Sequence, residues 1–214
     1  MGDDSDNHAI RAWLKHDRVW GFVVYRCTYK DDCEWTEGME RLNAFTRDSL
    51  ESRDSTDLMD SLDWAVQEDP SYDGASKRYI RRKFREWSEQ CGEIYSPRGS
   101  YCVMIDQDAL EAILAAEPPP DDDPSEEPYV ILLDKTWRQR YKDGTYDSGD
   151  DLATGEGESR EPVDEGCEPI EDCRMEDVGW MYTDMTILAV RTFVSLDAIG
   201  WDHCYARPPR MSSP

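Results

Sequence analysis

Apolar side chains are packed most densely along Arg18–Tyr29, RVWGFVVYRCTY, a run rich in β-branched and aromatic residues. Val19, Phe22 and Val24 sit beside Trp20, Val23 and Tyr25, so apolar groups fall on both faces. That pattern predicts a strand buried on both sides and central in a sheet. Asp31 then caps a helix, with Glu34 three residues on in a capping-box-like pair. Trp35, Met39, Leu42 and Phe45 or Thr46 mark one face of that helix to about Leu50. Gly38 inside it costs about 1 kcal/mol against alanine, which points to a close approach there. Residues 62–68 alternate, with Leu62, Trp64 and Val66 opposite Asp63, Ala65 and Gln67. They predict a half-buried strand ended by Pro70, preceded by a helical turn at Leu58 and Met59.

Ala75–Cys91 is the clearest amphipathic helix. Ile80, Phe84, Trp87 and Cys91 form its apolar stripe, and Lys77, Arg78, Arg81, Arg82, Lys83 and Arg85 surround the rest. A strand follows over 101–105, then a helix started by Asp106 and Asp108 and carrying Leu110, Ile113 and Leu114. Strands are expected at 129–133 and 178–183, while the apolar run 186–196 is compatible with helix or strand, its length favouring helix. Trp137 and Tyr141, four apart, suggest one or two helical turns over 135–142. At the N-terminus, residues 1–8 read as flexible, and Ile10, Trp13 and Leu14 predict a short helix over 9–15. Trp201 and Tyr205 pin an extended tail. Together these elements predict a single α+β domain over 9–214. Its sheet, mixed or antiparallel, has about four to five strands packed with about three to four helices, and a ferredoxin-like arrangement is among those compatible.

Charge sharpens this picture. The chain of 214 residues carries a net charge of −24, unevenly spread. Residues 117–128 contribute −6 and residues 143–177 contribute −12, fourteen carboxylates against Arg160 and Arg174. Both stretches are expected to be disordered acidic segments, 117–128 as a linker and 143–177 as an insertion. Runs of acid repel phosphate, so nucleic acid is a disfavoured partner for them. Seven cysteines, without a secretory signal, fit free thiols in a reducing compartment better than a disulfide framework. With no apolar run long enough to span a bilayer, the expectation is a cytoplasmic or nuclear protein, neither secreted nor transmembrane.

Trp20–Tyr29 (WGFVVYRCTY), Met39–Asn43, Asp57–Trp64 (DLMDSLDW) with Glu68-Asp69-Pro70, Asp177–Met181 (DVGWM) and Tyr205–Pro209 (YARPP) together carry a resemblance. The chain resembles a group of small acidic proteins of filamentous ascomycete fungi over most of its patterned length. The resemblance implies an intracellular fungal protein. It brings neither a reaction nor catalytic residues with it.

Chemistry-bearing residues are few. Asp57, Asp60 and Asp63, spaced by three, with Glu68 behind them, form a carboxylate group able in principle to do acid–base work. The simpler account makes Asp57 a cap and leaves the others in solvent or against the basic helix. Asp60, Asp63 and Glu68 stand as catalytic candidates, and Trp20, Trp64 and Trp180 as candidates for lining an aromatic ligand pocket. Arg81, Arg82 and Arg85 suggest phosphate binding, but the same basic face is a natural dock for the chain's own acidic loops. Cys27-x5-Cys33 and Cys167-x5-Cys173 lack zinc spacing, so no metal site is expected, nor any cofactor. His203 between Asp202 and Cys204 points away from its neighbours in an extended tail. The leading expectation is a non-enzymatic interaction or accessory protein with an unknown protein partner. The alternative is a small-molecule binder or accessory enzyme with an aromatic pocket.

Overall fold

Six strands make one mixed sheet in the order β2-β1-β3-β4-β5-β6. The computed structural model describes residues 5–92, 96–116, 128–147, 160–212 and 214. β1 (Val23–Arg26) lies between β2 (Ala65–Gln67) and β3 (Tyr101–Ile105) and is parallel to both, with Val24 opposite Val66 and Val103. β4 (Tyr129–Asp134) is antiparallel to β3, β5 (Trp180–Asp184) is antiparallel to β4, and the two-residue β6 (Met211–Ser212) is parallel to β5. Three adjacent parallel strands distinguish this sheet from a ferredoxin-like βαββαβ order.

The alternation along β1 shows why it is central. Phe22 and Val24 join Val103, Ile105, Val130, Leu132 and Met181 on one face, while Val23, Tyr25 and Cys27 join Met104, Ile131, Leu133 and Trp180 on the other. The strand is therefore buried on both sides, as its composition predicts. Crossovers between parallel strands are right-handed. The chain moves one way from β1 to β2 through α2 (Asp32–Glu51), then back across β1 to β3 through α3 (Lys77–Cys91) and α4 (Pro97–Ser100). Reversing direction with constant hand puts the two main helices on opposite faces. Accordingly Leu42 and Leu50 of α2 pack in the first cluster, and Ile80 and Phe84 of α3 in the second.

Local chemistry places these helices. The Asp31 carboxylate accepts from Cys33 N at 2.7 Å and Glu34 N at 3.3 Å, satisfying amides that a helix start leaves free. Gly38 is where α5 (Gln107–Ala115) touches α2: a Cβ there would lie 2.5 Å from Leu110 Cδ1. The first face is completed by α1 (Ser5–Trp13) and a C-terminal run of α6 (Met185–Ile187), a π-helical turn (Leu188–Thr192) and α7 (Phe193–Ala198), followed by α8 (Trp201–Cys204). Phe193 from that run meets Trp13, Trp20 and Phe22 edge-on, at centroid separations of 5.9, 6.0 and 5.5 Å.

Several expectations need correction. The N-terminal helix starts at Ser5, with Asp6 and Asn7 buried, so residues 5–8 belong to the fold. Residues 135–142 are not helical. Trp137 instead packs onto the Gly179 backbone and donates from Nε1 to Asp177 O at 3.0 Å, which holds the segment across the end of the sheet. Nor does disorder describe residues 143–147 and 160–177. They are held by bridges pairing Arg140 with Tyr146, Tyr141 with Pro162, Asp164 with Arg174 and Ile170 with Cys173, and Cys173 is buried. Residues 148–159 of that insertion and 117–127 of the acidic linker lie outside the described residues. The tail is pinned as expected, but through a helical turn: Trp201 stacks on Tyr101 at 5.6 Å. Among the described residues, no helix is long and apolar enough to cross a membrane.

Candidate functional site

The residues singled out in the sequence do not meet. Trp20 is fully buried in the first cluster, its Nε1 donating to Leu58 O at 2.9 Å. Trp64 packs against the same cluster and donates to Asn43 Oδ1 at 3.1 Å. Trp180 lies in the second cluster, on the opposite face of the sheet. Asp60 is exposed. Asp63 is the counter-ion of the buried Arg98, whose Nη1 also donates to Asp63 O at 2.6 Å, so it anchors α4 to the segment leading into β2. Glu68 pairs with Arg26 at 3.3 Å.

Arg26 occupies a telling place. In open sheets with parallel strands, ligands lodge beyond the carboxyl ends of the strands where the chain reverses direction, here between β1 and β3. Arg26 is tied down at the end of β1: its Nε donates to Thr28 O at 2.9 Å, and its other nitrogens pair with Asp32 at the start of α2 and Glu68 after β2. Tyr29 and Trp35 flank the guanidinium at 4.4 and 5.1 Å. Thr28 and Gln107 join across the same gap by a side-chain hydrogen bond. Such a satisfied cluster closes the position rather than offering it to a ligand.

A cleft of about 390 Å³ opens instead on the second face, between α3, the 137–141 segment, the 160–173 strap and the start of β5. Six cationic side chains line it: Lys77, Arg78, Arg81, Arg85, Arg138 and Arg160. Trp137, Tyr141 and Trp180 supply aromatic surface, with Pro162, Ile170 and Val178 beside them. Its carboxylates are Asp147, Glu171 and Asp172.

The cations divide into two groups. Arg81 and Arg85 hold the frame. Arg81 is buried and donates to Asp134 O and Gly179 O, each at 2.8 Å, tying the ends of β4 and β5 together. Its guanidinium lies 4.9 Å from the Trp137 ring centre, and burial pulls its pKa down to about 10. Arg85 donates to Lys135 O at 2.8 Å and Trp137 O at 3.0 Å, and burial lowers its pKa too. The remaining four are not part of that frame. Lys77 pairs with Glu171 at 2.6 Å and lies 4.2 Å from the Trp180 ring centre, and Arg78 pairs with Asp147 at 3.0 Å. The basic helix thus does receive the chain's own acidic loops. Arg138 and Arg160 are exposed, and among the described residues neither forms a hydrogen bond or an ion pair; Arg160 lies 5.9 Å from the Tyr141 ring.

Periodicity marks the basic side of α3, whereas the i, i+4 spacing of Trp137 and Tyr141 mimics a helix and the acid content of the strap mimics disorder, so neither points to the cleft. The two adjacent turn residues Glu171 and Asp172, and the unpaired Arg138, carry no motif. No group of three or more histidine, cysteine or carboxylate side chains able to hold a metal ion occurs among the described residues. His203 is exposed, with Nδ1 2.9 Å from Ile199 O, and Cys204 is buried. No family model, curated protein or solved structure matches the chain.

Proposed function

We propose that this is a non-enzymatic binding protein that takes an organic anion with a planar apolar part into the cleft under α3. The carrying observation is the convergence of six cationic side chains with Trp137, Tyr141 and Trp180, in a chain whose net charge is −24. The cleft's size falls within the roughly 300–1,000 Å³ usual for small-ligand sites. Guanidinium groups bind anions and stay protonated, so they position charge without shuttling protons. Two of the cleft carboxylates, Asp147 and Glu171, are engaged in ion pairs, and Asp60, Asp63 and Glu68 lie elsewhere, which favours binding over acid–base chemistry. On the resemblance described above, we take its setting to be the interior of a fungal cell. A second reading is a protein partner presenting an acidic segment, favoured by the cleft's existing use of Asp147 and Glu171 as counter-ions.

Calorimetric titration with naphthalene-2-sulfonate, its neutral analogue 2-naphthol and a short acidic peptide tests these readings. The sulfonate is expected to bind, and R138A/R160A to weaken it about three- to tenfold, the scale of removing two exposed cations that draw an anion to the mouth of the cleft. Equal binding of 2-naphthol, or unchanged affinity in R138A/R160A, refutes the anion site. Binding of the peptide alone selects the second reading.

A further inference from the structure

We propose that the turn at Glu171-Asp172 is a built-in competitor that occupies the subsite for the ligand's anionic group at Lys77. This deepens the cleft reading and rests on it. Ile170 and Cys173 close a two-residue hairpin, with Ile170 N donating to Cys173 O at 3.0 Å and Cys173 N to Ile170 O at 2.9 Å. Both residues between them are left-handed, Glu171 at φ 48° and Asp172 at φ 65°. Two such positions in succession define the hairpin turn that asparagine-glycine fills best, because β-carbons are disfavoured there. Here two acids stand in those places.

The arms of the hairpin are anchored, and its tip carries the two carboxylates. Cys173 is buried and Ile170 packs against the second cluster. From that anchored base, Glu171 reaches Lys77 at 2.6 Å. The Lys77 side chain is 16% exposed and Glu171 is 56% exposed, so the ammonium sits on the inner side and the carboxylate on the outer. Behind the ammonium lies the Trp180 ring, at 4.2 Å. An aromatic wall, a half-enclosed cation and a carboxylate at the mouth make one continuous arrangement. The carboxylate holds the position that the charged group of an entering planar anion takes, with its apolar part toward Trp137. Two successive left-handed non-glycine residues carry backbone strain of the kind that clusters at ligand clamps and switch regions.

The test replaces the tip with the sequence its backbone prefers. In E171N/D172G the turn keeps its geometry, loses both carboxylates and leaves Lys77 open. Naphthalene-2-sulfonate is then expected to bind about three- to fivefold tighter than to the wild-type chain, the scale of one partly exposed ion pair. E171Q, which preserves side-chain size, is expected to show most of that gain and guards against misfolding of the double variant. Both gains are expected to vanish in a K77M background. If the wild-type chain binds the probe and neither variant binds tighter, the competitor role is overturned while the cleft reading stands. If the gain persists in K77M, a general change of charge explains it and the competitor role is likewise overturned. If no form binds, the cleft reading itself falls, and this one with it.

Discussion

Gly179 offers the sharpest test of how the cleft is built. It has φ +75°, and a Cβ there would lie 2.3 Å from Trp137 Cγ, 2.4 Å from Cδ2 and 2.6 Å from Cβ. G179A therefore adds two costs. Holding alanine in the left-handed region costs about 1–2 kcal/mol, and driving a methyl into the buried side of an indole costs about 1–3 kcal/mol more. The sum is about 2–5 kcal/mol. Gly144 is the internal control, with φ +82° and nothing within 4 Å of its added Cβ. G144A should therefore carry only the first cost. Urea unfolding of both variants, followed by tryptophan fluorescence, gives the difference directly, and it is expected to be about 1–3 kcal/mol. The indole of Trp137 must also move, so its Nε1–H resonance should shift in G179A and stay in place in G144A. Equal destabilisation of the two variants, or an unmoved Trp137 signal in G179A, would refute the claim that Trp137 is clamped against this backbone.

Two further outcomes follow from the fold. D31A removes the acceptor for Cys33 N and Glu34 N at the start of α2 and is expected to cost about 0.5–2 kcal/mol in urea unfolding; no loss would mean that water serves these amides equally well. Asp177 accepts from Gly179 N at 2.6 Å and Trp201 Nε1 at 3.0 Å, yet burial pushes its carboxyl pKa up. The folded chain thus takes up this proton at a higher pH than the unfolded chain. Its contribution favours folding once the pH is below the ordinary carboxylate value and is lost as the pH rises through the raised one. Stability measured from pH 7 down to pH 4 should therefore change less favourably in D177N than in the wild-type chain, and identical profiles would show that burial does not shift this group.

Where periodicity and burial coincide, the fold was legible. Val23, Val24 and Tyr25 advertised a strand covered on both faces, Asp31 and Leu42 a capped amphipathic helix, and Gly38 a helix contact. The site was harder to read for a physical reason. Its frame uses main-chain acceptors, as when Arg81 holds Asp134 O and Gly179 O, and carbonyl groups leave no trace in side-chain pattern. Trp137 and Tyr141 mimic a helical i, i+4 pair, although long-range hydrogen bonds set their conformation. Glu171 and Asp172 look like two more acids in an acid-rich stretch; only their paired left-handed backbone sets them apart. Trp20, Trp64 and Trp180 drew attention by size, but position decided otherwise: Trp20 and Trp64 pack in the first cluster, and of the three only Trp180 reaches the cleft.

Among the described residues the sheet ends on one side at β2, three residues long, and on the other at β6, two residues long. A sheet border exposes unpaired amide and carbonyl groups on which another chain can lay a strand. Here each border is too brief to template more than a few hydrogen bonds, and β2 runs straight into Glu68, Asp69 and Pro70. Proline cannot donate to an added strand, and a strand from a second copy would bring its own surplus of negative charge. In a crowded solution the molecule is therefore guarded against growing edge to edge into larger sheets, even though its central strands are apolar on both faces.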